Sequence, residues 1–423
     1  MLLLCLTQMA VAQAYTATTS PRLRTLRMQA VDAQDLLPKA GDPTRPYLMM
    51  ANGATITAEG DADGFVLEVS FDEMSHDVHQ YTYTVCHADR YWKPDALLSS
   101  EYLGGFTTRD ITDYEHSLNT QQIYTHYSLT IPNEDMSLKL SGNYILTIYE
   151  DGNPENVIAT QCFYVVDQQV QMNANITPNT DIELSGRYQQ LEVEINKTQG
   201  NTPRNDYSLC VQQNGRLDNA VYDVVPTLVG TNKLQWNHCR ELIFEGGSEY
   251  RHFDIYSTYL AGDGVDRIIY EQGDYHALLY IDGIDEGTYI HRYDAHGQYR
   301  INAERTDYDD TEAEYMWVHF VLPKQDPWFT GAVYVGGDLF NNRMTLANRM
   351  QYDNENRCYY LNALVKQGGY DYQYWFVEKG KNKATLQPVE GSHWQTRNEY
   401  TLLVYYKPFG ARYDQLVGFV RIQ

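Results

Sequence analysis

The sequence predicts an all-β protein built of tandem immunoglobulin-like β-sandwich domains, and three observations carry that prediction. Tyrosine occurs 37 times in 423 residues, more often than Phe (12) and Trp (6) together. Tyr favours strands and keeps one polar end for a wet rim. Apolar and polar residues alternate with period two in short runs separated by Asp-Gly and Asn-Gly type turns, the pattern of half-buried antiparallel strands. No convincing long helix interrupts them, so strands at this spacing imply sandwiches rather than a parallel sheet with helical crossovers.

The totals bound the rest. At ~100–200 residues per domain the length allows two to four domains. Hydrophobic residues make up 43% and aromatics 13%, which is ample for cores and excludes disorder of the whole chain. The formal charge is −24, from 56 acidic against 32 basic residues. Such a surface repels phosphate backbones and anionic lipid heads, so nucleic acid is excluded as a partner.

Taken in order, the chain opens with "MLLLCLTQMAVAQAYTATTS". An apolar run to Ala12 followed by Ala12-Gln13-Ala14 has the shape of a secretory signal, assigned to residues 1–14. Its positive n-region is missing, which places the true start codon in question. Leu4 is too large for a lipobox, so Cys5 reads as part of the leader. No later run approaches the ~18 apolar residues of a membrane helix. The mature chain is expected to be exported to the periplasm. Residues 15–41 read as an extended, weakly ordered segment.

The first sandwich is expected over 42–168. There "FVLEVSF" (65–71) aligns Phe65, Leu67, Val69 and Phe71, and "QYTYTVCH" (80–87) aligns Tyr81, Tyr83 and Val85. The second is expected over 169–312, opening at "QVQMNANITPN", and the acidic "TDYDDTEAEY" (306–315) reads as a linker or exposed turn. The third, 313–423, starts at "YMWVHFVLP" and contains "QGGYDYQYWFV" (367–377). In that row Tyr370, Tyr372, Tyr374 and Phe376 share one parity and make an inward face. Asp371, Gln373, Trp375 and Val377 share the other, an outer face with Trp375 as the candidate for exposure.

Candidate chemistry is sparse. Asp61 and Asp63 in "GDADGF" resemble half a calcium loop, but the chain turns at Gly64 into a strand, as a hairpin does. His76 and His79 lie three apart with His87 nearby, in what reads as a turn with solvated or turn-stabilising imidazoles. No HExxH, GxSxG or Walker loop occurs, and nothing nominates a pair of acids for glycoside hydrolysis. The expectation is therefore a protein that is not an enzyme and carries no metal or cofactor. Cys86, Cys162, Cys210, Cys239 and Cys358 have no metal spacing and read as buried free thiols, with one disulfide as the alternative.

Two resemblances add to this reading. Residues from "GAVYVGGDLFNNRM" to "YWFVEKG" resemble early-set immunoglobulin-like modules that bind glycogen and starch. In those modules a Trp that stacks on sugar follows the Phe-Asn-Asn turn; here Phe340-Asn341-Asn342 is followed by Arg343. More widely, residues 91–152, "VQQNGRLDNA" (211–220), "FEGGSEYRHFDI" (244–255), "EAEYMWVHFVLP" (312–323) and "YYKPFGARYDQLVGFV" (405–420) resemble, in order, the type IX secretion system plug protein family. That resemblance implies an exported protein of tandem β-sandwiches, associated with the very large outer-membrane translocon barrel and closing its channel from the periplasmic side. It carries over no catalytic residues. The connection "DRYWKP" to "EYLGGF" offers Trp92, Tyr102 and Phe106 either as partner anchors or as staples of their own loop, and Arg412 and Tyr413, just before the last strand, read either as further partner contacts or, with Asp414, as a local turn with an ion pair. The alternative function is carbohydrate binding, with Trp375 or Trp394 as the stacking residue.

Overall fold

The computed structural model describes residues 20, 22–38, 46–197, 203–284 and 287–423. The leader assigned to residues 1–14, with Cys5, lies outside the described residues. The described chain folds into three antiparallel-rich β-sandwiches, as the alternation predicts.

The first sandwich starts earlier than residue 42. Leu23–Asp32 forms an outer strand paired antiparallel with Phe65–Glu73, so much of the segment read as weakly ordered belongs to the sheet. A bulge between Arg24 and Arg27, with Thr25 at a φ of 49°, breaks the period-two pattern and hides the strand from a reading by alternation. Thr125–Ile131 and Asp113–His116 complete this four-stranded sheet. The facing sheet runs in the order Tyr47–Met49, Val157–Val166, Gly142–Glu150, Tyr81–Ala88, Thr108–Asp110. Its core is aromatic: Phe71 stacks on Tyr127 at 5.2 Å and Tyr144 on Phe163 at 5.3 Å.

Beyond it, strand pairing departs from the boundary placed at 312/313. Tyr207–Gln213 pairs with Tyr400–Tyr406, which pairs in turn with Gln415–Ile422. These face the sheet of Gln171–Thr177, Tyr188–Asn196 and Lys233–Trp236 across a core that includes Leu191, Trp236, Leu402 and Val404. The last two strands of the chain therefore complete the second sandwich. The third sandwich is inserted within it, from Arg251–Asp254 to Gly368–Glu378. The acidic stretch 306–315 joins two strands of that inserted sandwich, Tyr299–Ile301 and Tyr315–Pro323, and is no linker between domains. Its Glu314 carboxylate is buried and accepts the backbone N–H groups of Gln121 and Gln122 from the first sandwich. Polar composition concealed that burial, because acceptors aimed at a neighbouring backbone look the same in sequence as solvated ones.

Each sandwich touches the other two. The first meets the inserted one through a buried ion pair: Lys366 Nζ lies 2.6 Å from Asp72 Oδ2, with both side chains about 1% exposed. Tyr315 donates to the same oxygen at 2.7 Å, and His126 Nδ1 lies 2.6 Å from the other. Lys366 also donates to the Asp310 carbonyl at 2.7 Å and sits 4.3 Å from the Tyr124 ring. Burial alone would push the Asp72 carboxyl up, but the charges of Lys366 and His126 outweigh it and hold the group down at about 2. The first sandwich meets the second over an apolar patch that includes Trp92, Ile145, Tyr164, Leu403 and Tyr405. The second meets the inserted one where Arg216 lies 4.4 Å over the Trp375 ring.

Two predictions follow from this architecture. Lys366→Met leaves the Asp72 carboxylate buried without its cation, and we expect a loss of about 3–5 kcal/mol, with partial recovery in Asp72→Asn/Lys366→Met; denaturant unfolding measures both. Because the folded Asp72 titrates below its unfolded range, its contribution is complete above about pH 4 and disappears as pH falls toward 2. The variant should show a shallower acid loss over that window. Secondly, a fragment of residues 313–423 lacks Tyr207–Gln213, one of the two partners of Tyr400–Tyr406, and Arg251–Asp254, a partner of Gly368–Glu378, and should show no cooperative thermal transition by circular dichroism.

Candidate interaction surface

The connection between Tyr81–Ala88 and Thr108–Asp110 carries three of the residues singled out from sequence, and the structure gives them different places. Trp92 is buried against Tyr164, with ring centroids 5.1 Å apart, in the seam between the first and second sandwiches. Tyr102 is buried too, beside His87 and Tyr144 in the first core. Both are staples, not exposed anchors. Phe106 is exposed, with the Arg109 guanidinium 5.0 Å from its ring centroid. The chain reaches it through Gly105, whose φ is 82° and whose added Cβ would collide with the Asp135 carbonyl, so only glycine fits this close approach.

Arg412 and Tyr413, distant in sequence, come to the same seam. Arg412 Nη1 lies 2.6 Å from Glu101 Oε1, and Nη2 donates to the Ala96 carbonyl at 3.1 Å. Tyr413 packs edge-on against His87 at 5.4 Å. Arg90 closes the base, 2.8 Å from both Asp414 and Asp223. A loop of the second sandwich is thereby clamped to one of the first.

The tip of that clamped loop is Pro408-Phe409-Gly410, and Phe409 is fully exposed. The turn is closed by Ala411 N–H donating to the Pro408 carbonyl at 2.9 Å, with Gly410 at a φ of 87°. Leu98, in the stretch that Arg412 grips, is also exposed. Leu98, Phe106 and Phe409 are apolar side chains that these loops hold exposed to water. Phe409 was missed in the sequence reading. An aromatic between Pro and Gly, flanked by two strands, is the signal that marks it.

The carbohydrate alternative meets a different geometry. Trp375 is completely buried: the outer parity of Gly368–Glu378 is covered by Arg216 and by Ala384 and Leu386 of the returning chain. Its expected exposure is corrected, because a second sandwich packs on the face that alternation leaves polar. Trp394 is half-buried, and its main chain is tied to Gly186 and to the Gln189 side chain. The Phe340-Asn341-Asn342-Arg343 turn docks on the first sandwich: Gln161 donates to Asn341 Oδ1 at 3.0 Å and Arg343 to the Thr160 carbonyl at 3.3 Å.

The remaining candidate groups are spent on structure. Asp61 accepts backbone N–H groups from Met49, Asp63 and Phe65 at 2.8–3.0 Å, as a turn-former does. His79 meets buried Glu73 at 2.8 Å, and His76 meets Ser117 at 3.1 Å. His87 is not solvated: it is buried, 2.5 Å from Asp95 and 3.1 Å from the Ser141 carbonyl. Among the described residues no group of three or more His, Cys, Asp or Glu side chains is placed to hold a metal ion. Cys86, Cys162, Cys210, Cys239 and Cys358 are free thiols, and burial pushes the Cys86 thiol up to about 11.

A family model described as the type 9 secretion system plug protein 1st domain matches residues 55–167. A crystal structure at 2.30 Å resolution, described only as that of a hypothetical protein from Parabacteroides merdae ATCC 43184, is 35% identical over 96% of this chain and 98% of that one, with a TM-score of 0.87. Over residues 55–167 the chain belongs to the type 9 secretion system plug protein family. No curated protein matches it. The plug-family match covers most of the first sandwich, including Trp92, Tyr102 and Phe106. Arg412 and Phe409 lie outside the matched residues. Membership ties the chain to type 9 secretion and implies association with that system's translocon at the outer membrane. Among the described residues no helix is long and apolar enough to cross a membrane.

Burial separates the staples from the exposed residues in a measurable way. Trp92→Ala should cost about 3–5 kcal/mol in denaturant unfolding, whereas Phe409→Ala should stay within about 0.5 kcal/mol of the parent.

Proposed function

We propose that this chain is a non-enzymatic periplasmic plug that closes the channel of the type 9 secretion translocon barrel through reversible protein–protein contact. The single observation that carries the reading is the plug-domain match over residues 55–167, on a chain whose likeness to a solved structure extends over 96% of its length. The physical arrangement supports it. A stopper needs a stiff body, and here buried polar pairs such as Asp72–Lys366 and apolar seams such as Trp92–Tyr164 hold the sandwiches in place. It needs an interface that also lets go, which favours a few apolar anchors within a polar, strongly acidic surface over one broad greasy face. Phe409, Phe106 and Leu98 are such anchors, and Arg412 with Tyr413 orients the loop that carries Phe409.

Affinity purification of the full chain from native outer membranes in mild detergent is expected to recover the translocon barrel. Phe409→Ala should lower that recovery about tenfold, the effect of losing one contact hot spot. A strain lacking the protein should have a leakier outer membrane. Absence of the barrel from the purified material, with the membrane no leakier after deletion, would end this reading.

A further inference from the structure

Among the described residues the inserted sandwich leaves one long strand edge, Val265–Glu271, without a second strand partner. Val265–Glu271 is the outermost strand of a five-stranded sheet and pairs with Asp274–Leu279 alone among the described strands. Other long edges are covered differently: Leu23–Asp32 lies against Cys358–Lys366, and Gln415–Ile422 lies against Val157–Val166 and Gln171–Thr177. An edge strand keeps half of its backbone N–H and C=O groups pointing outward, where water or another strand must satisfy them. Protective devices on such edges are charges, prolines and bulges. This strand has a bulge near Asp266 and one cation, Arg267, at its start, but its centre reads Ile268-Ile269-Tyr270. Ile269 is 38% and Tyr270 58% exposed. At the opposite end of the hairpin Tyr280 and Ile281 are also exposed, and Tyr280 N–H donates to the Gly264 carbonyl at 3.0 Å.

A row of backbone groups spaced for a ladder is matched by one kind of occupant, an extended segment. Charge decides whose segment it is. In antiparallel self-pairing, the register that sets Ile268 against Ile269 also puts Asp266 opposite Glu271 twice, and each copy brings a formal charge of −24. Asp263, Asp266 and Glu271 are all exposed along or beside this edge. The complement is a basic segment from a different chain.

We propose that Val265–Glu271 is a β-augmentation site that accepts an extended, Lys- or Arg-bearing segment of the translocon as a sixth strand. The identity of the partner rests on the plug reading; the edge geometry does not. The test places a photo-crosslinking amino acid at Tyr270, and as a control at exposed Leu184, in the full chain expressed in its native cells. Crosslinked peptides are sequenced in the parent, Ile269→Lys and Ile269→Val. Ile269→Lys sets a cation against the incoming segment, while Ile269→Val keeps the strand apolar; equal thermal midpoints confirm that each folds. The expected result is an adduct between position 270 and a basic extended segment of the translocon. Its yield should be about tenfold above that at position 184, lost in Ile269→Lys and kept in Ile269→Val. If the barrel co-purifies but position 270 gives no adduct, or Ile269→Lys changes nothing, the edge proposal is overturned and the plug reading stands. An adduct to a basic extended segment of some other protein, abolished by Ile269→Lys with no barrel recovered, upholds the edge and overturns the plug reading. An adduct to a second copy, or no adduct and no barrel, overturns the proposal.

Discussion

The arrangement of this molecule depends on the buried pairing of Asp72 with Lys366. Two full charges about 1% exposed are tolerable only where every remaining lone pair and proton finds a partner. Here Tyr315, His126 and the Asp310 carbonyl complete the set, and each comes from a different element. The pair therefore demands that the first and inserted sandwiches meet in one orientation. A shift of an ångström or so would strand a carboxylate in a dry place. Its role is orientation more than net stabilisation, since well-packed apolar groups could fill the same volume.

The same requirement explains the tyrosines. Between sandwiches, a side chain must fill volume and still satisfy a polar neighbour. Tyr405 packs in the seam and donates to Asn143 at 2.7 Å; Tyr164 accepts from Gln212 at 2.7 Å; Tyr124 donates to the Ala313 carbonyl at 2.9 Å. Phenylalanine would leave those groups unpaired, and a shorter polar side chain would leave a void. The high Tyr count reflects three docked bodies as much as three cores.

Insertion of one sandwich into another ties these seams together. Because Tyr400–Tyr406 lies beside Tyr207–Gln213, the inserted body is held to the second sandwich at both of its ends, and it is held to the first through Lys366 and the Asn341–Arg343 turn. Motion of one sandwich against another must break buried polar contacts on more than one side. Among the exposed features are loops and an edge: Phe409 on a clamped turn, Phe106 beyond Gly105, and the Val265–Glu271 edge.

By itself, the sequence determined the class of structure and the inward faces. Tyr370, Tyr372, Tyr374 and Phe376 share a parity and are all buried, because side chains two apart on a strand point the same way whatever lies around them. Residues 91–152 likewise carried the family resemblance, and they lie within the plug-domain match over 55–167. Tertiary structure alone decided three other matters. It covered the outer parity at Trp375, buried Trp92 and Tyr102 as staples, and returned the last two strands to the second sandwich. It also brought Arg412 to Glu101 and left Phe409 in water. Alternation is set by covalent geometry within a few residues. Which strand pairs with another nearly two hundred residues away, and which polar face becomes an interface, is set by docking energies that no local period contains.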